Sequence, residues 1–207
     1  SYLIERHMVF KCGCSRKKLN DDGTCSSKCS SRQDSLNENV ALRFNNGIRA
    51  DVKVNDFIFG EKIWHTRNIP KDFIIRRRDG LFSYQLAVVV DDASQGITHI
   101  IRGSDLLDST PQQHEIASAL NLSRLKYGHI PTITNEEGKK LSKQALAPSV
   151  DANQAAQNLR QALLLLGQLQ PTTSLETPSQ ILCSAIESWD RDAIPKKSSL
   201  PHVPLKI

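Results

Sequence analysis

Three stretches of this sequence carry side chains whose types and spacing suit them to chemistry. Gly138-Lys139-Lys140-Leu141-Ser142-Lys143-Gln144 sets three lysines around one serine within five residues. Ammonium groups at that density suit a polyphosphate, whose charge they neutralise, and they suit a solvated basic loop equally well. Cys12-Gly13-Cys14 and Cys25-Ser26-Ser27-Lys28-Cys29 supply two close thiol pairs separated by a ten-residue connection. Zinc takes four soft ligands in a tetrahedron, and two chelating pairs on a flexible connection provide that at low entropic cost. Lys11, Arg16, Lys17, Lys18 and Lys28 favour the ionised thiolates. Reduced thiols without metal are the alternative, and the C-x-C pair is tighter than the usual C-x2-C. With all four positions taken by protein, a zinc here would be structural and not catalytic.

The third stretch is Arg102-Gly103-Ser104-Asp105. A guanidinium at the end of a strand either clamps a carboxylate bidentately or closes the loop by pairing with Asp105. Tyr84, at the head of a neighbouring apolar run, is either packed in the core or exposed. Arg76-Arg77-Arg78-Asp79-Gly80 either meets phosphates or forms a solvated turn. The six histidines show no ligand spacing among themselves, so none is assigned a metal role. Neither G-x-x-x-x-G-K-S/T nor G-x-G-x-x-G occurs, which counts against P-loop and dinucleotide-binding folds.

Composition narrows the class. At 39% hydrophobic residues and a mean hydropathy of −0.38, the chain fits a soluble globular protein, and its longest apolar runs are too short to span a bilayer. No export signal opens it, so a cytoplasmic home and no membrane partner are expected. A net charge of +5 favours polyanionic partners without singling out nucleic acid. An odd number of cysteines, four of them clustered, argues for metal over a disulfide framework.

The elements that must hold these groups follow from pattern. Residues 1–10 read as a helix end running into a short strand, and residues 30–39 as a Ser/Asn/Gln-rich linker. Residues 40–44, 48–54 and 56–59 alternate, with turns at Asn45-Asn46-Gly47 and Asn55-Asp56, which predicts an antiparallel meander. After Pro70 the rhythm becomes α/β. The continuous apolar run at 84–90 predicts a strand buried on both faces, and 97–101 a second strand. Ser109-Thr110-Pro111 predicts an N-cap with Pro in the first turn of a helix running through Ile116, Ala117 and Leu120, and His129-Ile130-Pro131 leads into a further extended segment. This order suits half of a nucleotide-binding sheet. Past Pro148, Ala152 to Leu166 repeats at helical spacing up to Gly167. A second helix from Pro178 to about Trp189 packs Ile181, Leu182, Ala185 and Ile186, with Cys183 as core. The tail from Pro195 is expected to be mobile.

The segment Asp79-Gly80-Leu81-Phe82-Ser83-Tyr84-Gln85-Leu86-Ala87-Val88-Val89-Val90-Asp91-Asp92, with Gly96-Ile97-Thr98-His99-Ile100-Ile101-Arg102-Gly103-Ser104-Asp105, strongly resembles the class I glutamyl- and glutaminyl-tRNA synthetases. Lys140-Leu141-Ser142-Lys143-Gln144 falls where that family carries its second signature, the Lys-Met-Ser-Lys-Ser-type loop. The resemblance covers residues 72–144, three motifs in the family order. It is nearest to the branch that lacks an anticodon-binding domain and glutamylates the queuosine base of tRNA(Asp).

The resemblance implies an α/β chain: the second half of a class I synthetase Rossmann fold, with a zinc-bearing insertion and a C-terminal helical module. The expected domains are 1–70 for the zinc-bearing insertion and antiparallel strands, 71–148 for the Rossmann second half and KLSKQ loop, and 149–207 for the helical module and tail. It implies a ligase that joins glutamate to tRNA, using ATP with Mg2+, and working as a monomer. Lys143 would neutralise the ATP phosphates, with Lys140 and Ser142 as loop support, while Tyr84 and Arg102 would hold glutamate. A zinc site occurs in that branch, typically with tyrosine as third ligand; Cys25 stands there instead, which makes the site Cys12, Cys14, Cys25 and Cys29. The family's first signature, a His-x-Gly-His-type loop, does not occur, so the chain is expected to lack the N-terminal half-Rossmann segment and to be inactive alone. The rival readings are a truncated glutamyl-tRNA synthetase charging tRNA(Glu) and a non-catalytic zinc module binding RNA.

Overall fold

The computed structural model describes residues 2–25, 29, 40–47, 50–142, 147, 149–172, 174 and 177–202. The linker expected at 30–39 and Lys143-Gln144 lie outside the described residues. As the sequence predicts, a short helix α1 (Tyr2–Glu5) runs into strand β1 (Val9–Cys12). β1 pairs antiparallel with β2 (Ala41–Asn45), which pairs antiparallel with β5 (Asp72–Arg76). β3 (Val52–Asp56), β4 (Gly60–Trp64), β6 (His99–Gly103) and β7 (Lys126–Ile130) form a four-stranded sheet in the order β4-β3-β7-β6. The remaining elements are α2 (Tyr84–Ser94), α3 (Thr110–Ala119), β8 (Thr132–Thr134), α4 (Ala155–Leu165), α5 (Pro178–Glu187) and β9 (Ser199–Pro201). This is a mixed α/β fold.

The chain divides into two compact units of discontinuous segments. The first comprises Ser1–Asn55, Glu61–Ile100 and Asp108–Tyr127; the second comprises Asp56–Gly60, Ile101–Leu107 and Gly128–Ile207. In the first, Leu3, Val9, Phe44, Phe73, Ile75, Val89 and Ile116 make the core. Phe44 and Phe73, partners across β2 and β5, stack tilted with centroids 5.4 Å apart. In the second, Leu163 of α4 meets Ile181 and Ala185, one helical turn apart on α5. A capping box holds the start of α5: Thr177 Oγ1 accepts from Gln180 N, and Thr177 N donates to the Gln180 side chain.

The antiparallel meander expected over residues 40–59 is split: β2 pairs with β1 and β5, while β3 lies between β4 and β7 in the other sheet. Four further expectations differ from the structure. The run at 84–90 is helical, in α2, and not a strand. Only Val89 is fully buried, with Leu86 and Val88 half-buried against the core, while Val90 faces outward. Packing on one face overrides the β preference of the valines. The stop signal was present: Gly96 sits at φ +68°, just past the C-cap residue Gln95, which glycine enters without a Cβ clash. Of the strand expected at 56–59, Asp56 ends β3 and residues 57–59 form a turn, because the Asp56 carboxylate accepts from Ile58 N and Phe59 N. In α5, Leu182, Cys183 and Ile186 are exposed, since a single helical stripe is enough to cover Leu163. The tail is tied down through residue 201, where β9 pairs in parallel with β8.

Candidate functional site

In the first unit, β1 ends on Cys12, and Cys14 follows two residues later. Cys25 closes a tight loop in which Asn20 N bonds Thr24 O and the Asp22 carboxylate accepts from Thr24 N and Thr24 Oγ1. Those two bonds hold the Asp22 carboxyl below its usual range, the Thr24 hydroxyl contributing most. The four sulfurs of Cys12, Cys14, Cys25 and Cys29 lie within 4.8 Å of one another. Cys12–Cys25, Cys14–Cys25 and Cys14–Cys29 are 3.7, 3.8 and 3.7 Å apart, far beyond a disulfide bond of about 2.05 Å. A tetrahedron with zinc–sulfur bonds of about 2.3 Å has edges of about 3.8 Å. The donor set and its dimensions fit zinc. Burial is the largest of the effects pushing the Cys12 thiol above its ordinary range, a cost that a divalent cation reverses.

A buried ion pair holds the cluster's loop. The Arg43 guanidinium donates through Nε to Asp72 Oδ1 and through Nη2 to Gly23 O at 2.6 Å. The same Asp72 carboxylate accepts from Cys25 N at 3.1 and 3.2 Å. Arg78 donates to Cys14 O at 2.6 Å, and Arg77 pairs with Asp79. The Arg76-Arg77-Arg78 run therefore ends β5 at Arg76 and turns at Arg77 and Arg78, and Arg78 supports the cysteine segment. Tyr84, the first residue of α2, belongs to this unit and is exposed.

In the second unit the strand end at Arg102 meets a buried polar chain. His129 is fully buried and Asp56 is 1% exposed. His129 Nδ1 donates to Asp56 Oδ2 at 2.6 Å, and Arg102 Nε donates to His129 Nε2 at 2.9 Å. A carboxylate only accepts and a guanidinium only donates, so His129 is neutral with its proton on Nδ1. Burial, reinforced by the Arg102 charge, pushes the His129 pKa down against the pull of Asp56. Asp56 also accepts from the His129, Ile58 and Phe59 backbone amides.

Lys140 follows a hairpin turn at Asn135-Glu136-Glu137-Gly138. There Asn135 N bonds Lys139 O, Asn135 Oδ1 accepts from Lys139 N, and Gly138 lies at φ +76°. Lys140 Nζ then reaches Asp105 Oδ2 at 2.6 Å. Arg102 and Lys140 thus belong to one unit, with Ser142 two residues beyond Lys140. Lys143 lies outside the described residues. Asp56 and His129 are the residues the sequence did not reveal as part of this site. They are 73 positions apart, on strands that carry other polar residues (Lys53, Asn55 and Lys126), so no local pattern pairs them. No helix among the described residues is long and apolar enough to cross a membrane.

A mixed α/β fold, a four-cysteine cluster and an ion pair that joins Asp105 to Lys140 are the features that suit a class I synthetase catalytic region. The chain belongs to the family of class I tRNA synthetases for E and Q: the model of their catalytic domain matches residues 3–187. It is 39% identical over 206 residues to the glutamyl-Q tRNA(Asp) synthetase of Pseudomonas paraeruginosa, covering 97% of this chain and 68% of that protein. It is 38% identical over 204 residues to the protein of the same name from Acinetobacter baylyi, covering 96% and 66%. Among solved structures, the glutamate-tRNA synthetase of Elizabethkingia anophelis superposes with a TM-score of 0.67 at 18% identity, covering 98% of this chain and 49% of that one. A glutamate tRNA ligase from Elizabethkingia meningosepticum, in complex with its amino acid, gives 0.65 at 19%, covering 95% and 48%. These two likenesses show the fold. The chain spans about two thirds of the length of the curated relatives and about half that of the solved chains.

Proposed function

We propose that this chain belongs to a ligase that activates glutamate with ATP and transfers it to the queuosine base of tRNA(Asp). The observation that carries the reading is the 2.6 Å contact of Lys140 Nζ with Asp105 Oδ2, which ties Lys140 to the Arg102-Gly103-Ser104-Asp105 segment. The relatives named glutamyl-Q tRNA(Asp) synthetase support the choice of acceptor.

In this reading Arg102 takes a carboxylate of glutamate bidentately, and Tyr84 helps to hold the amino acid. Lys140, Ser142 and Lys143 hold the phosphates of ATP, which enters as its Mg2+ complex. A glutamate carboxylate oxygen attacks the α-phosphorus, pyrophosphate leaves, and glutamyl-adenylate forms. The Lys143 ammonium neutralises charge that grows on the phosphates as that bond breaks. A hydroxyl of the queuosine nucleoside then attacks the acyl carbon, and AMP leaves. Cys12, Cys14, Cys25 and Cys29 hold zinc as a structural crosslink that takes no part in the reaction. A tRNA substrate and reduced thiols set this work in the cytoplasm.

Glutamate-dependent exchange of pyrophosphate into ATP by the full-length protein tests the reading. Lys143→Ala is expected to slow it by about two orders of magnitude. Exchange at the wild-type rate in that variant would remove Lys143 from the site.

A further inference from the structure

Arg102 is held by a group that is itself held. Its Nε–H points at His129 Nε2, 2.9 Å away, and the other ring nitrogen is fixed by Asp56 at 2.6 Å. Asp56 in turn is anchored by the backbone amides of Ile58, Phe59 and His129. Both inner members are sealed from solvent. Phe57 packs its ring against Gly128, so closely that a Cβ there would lie 2.4 Å from Phe57 Cε2. The imidazole is thus held at both ring nitrogens and shut off from solvent.

We propose that Asp56 and His129 are positioning residues that set the roll of the Arg102 guanidinium for glutamate; the proposal rests on the reading of Arg102 given above. With Nε–H engaged by His129, the substrate carboxylate must be met end-on by the terminal Nη groups, because the side-on edge that uses Nε is taken. Asp56 matters because it chooses the tautomer. A proton on Nδ1 leaves Nε2 as an acceptor for Arg102, whereas a proton on Nε2 would set two donors against each other. Arginine arrives pre-ordered, so binding need not freeze a long, rotamer-rich side chain.

Asp56→Asn tests this with nearly unchanged shape. The new amide nitrogen donates toward His129 Nδ1, drives the proton to Nε2 and removes the acceptor of Arg102. Nitrogen-15 NMR of the His129 ring is expected to report a proton on Nδ1 in the wild type and on Nε2 in the variant. In pyrophosphate exchange by the full-length protein, the KM for glutamate should rise about tenfold, with the KM for ATP little changed. Arg102→Lys is the reference. If it leaves the glutamate KM unchanged, the assignment of Arg102 itself fails. If it raises that KM while Asp56→Asn, with its tautomer switched, does not, the positioning role is overturned. Should Asp56→Asn not fold, the pair His129→Leu and His129→Gln decides. Glutamine restores an acceptor near the Nε2 position and is expected to recover most of the glutamate affinity that leucine loses. Equal affinities in the two overturn the proposal.

Discussion

Asp72 joins Arg43 to the cysteine cluster: one carboxylate takes the buried Arg43 Nε on one side and the Cys25 amide on the other. The charge of Asp72 is thus spent on holding a loop, and Arg43, 3% exposed, has no water to fall back on. Lys140 and Asp105 make an ion pair of the opposite kind, with side chains 51% and 37% exposed.

The contrast gives a prediction with an internal control. Asp72→Ala leaves a buried guanidinium uncompensated and should lower unfolding stability by about 3–5 kcal/mol. Lys140→Ala should change it by less than about 1 kcal/mol. Denaturant titrations of the two variants check both, and equal losses would refute the distinction.

The thiol cluster should hold about one zinc per chain, and a chelator should destabilise the protein as it strips the metal. Cys14→Ser should lose the zinc, whereas Cys183→Ser, on the exposed face of α5, should keep it. Metal analysis with parallel melting curves checks this. Metal-free protein of undiminished stability would exclude the site.

Stability should depend on pH through His129. Burial lowers its folded pKa below the ordinary value of 6.5, so between the two values the unfolded chain binds the extra proton. Its contribution is therefore fully present above about pH 6.5 and is lost as pH falls through the lowered folded value. Unfolding free energies measured from pH 7.5 downward should decline, and His129→Gln should flatten that part of the curve.

Gly128→Ala should cost about 1–3 kcal/mol, because its Cβ would enter the Phe57 ring. Phe57→Leu in the same chain should relieve part of the loss. A double variant no more stable than Gly128→Ala alone would place the strain elsewhere.

The parts of this molecule that were legible in sequence are those whose partners lie close along the chain. Cys12 with Cys14 and Cys25 with Cys29 announce a chelating set. Pro111 and Pro178 mark helix starts. The run Leu86-Ala87-Val88-Val89-Val90 misled because branched apolar residues suit a buried strand as well as a half-buried helix, and only the distance to Gly96 separates the two. Asp56 and His129 meet across 73 residues. Their chemistry depends on a pairing that neither local spacing nor composition encodes.

The proposed reaction joins glutamate to queuosine in tRNA(Asp). The direct measurement is transfer of labelled glutamate by the full-length protein to tRNA(Asp) with and without queuosine, and to tRNA(Glu). ATP-dependent label is expected on the queuosine-bearing tRNA(Asp) and none on the queuosine-free form. Label at the acceptor end of tRNA(Glu), with none on queuosine, would contradict it.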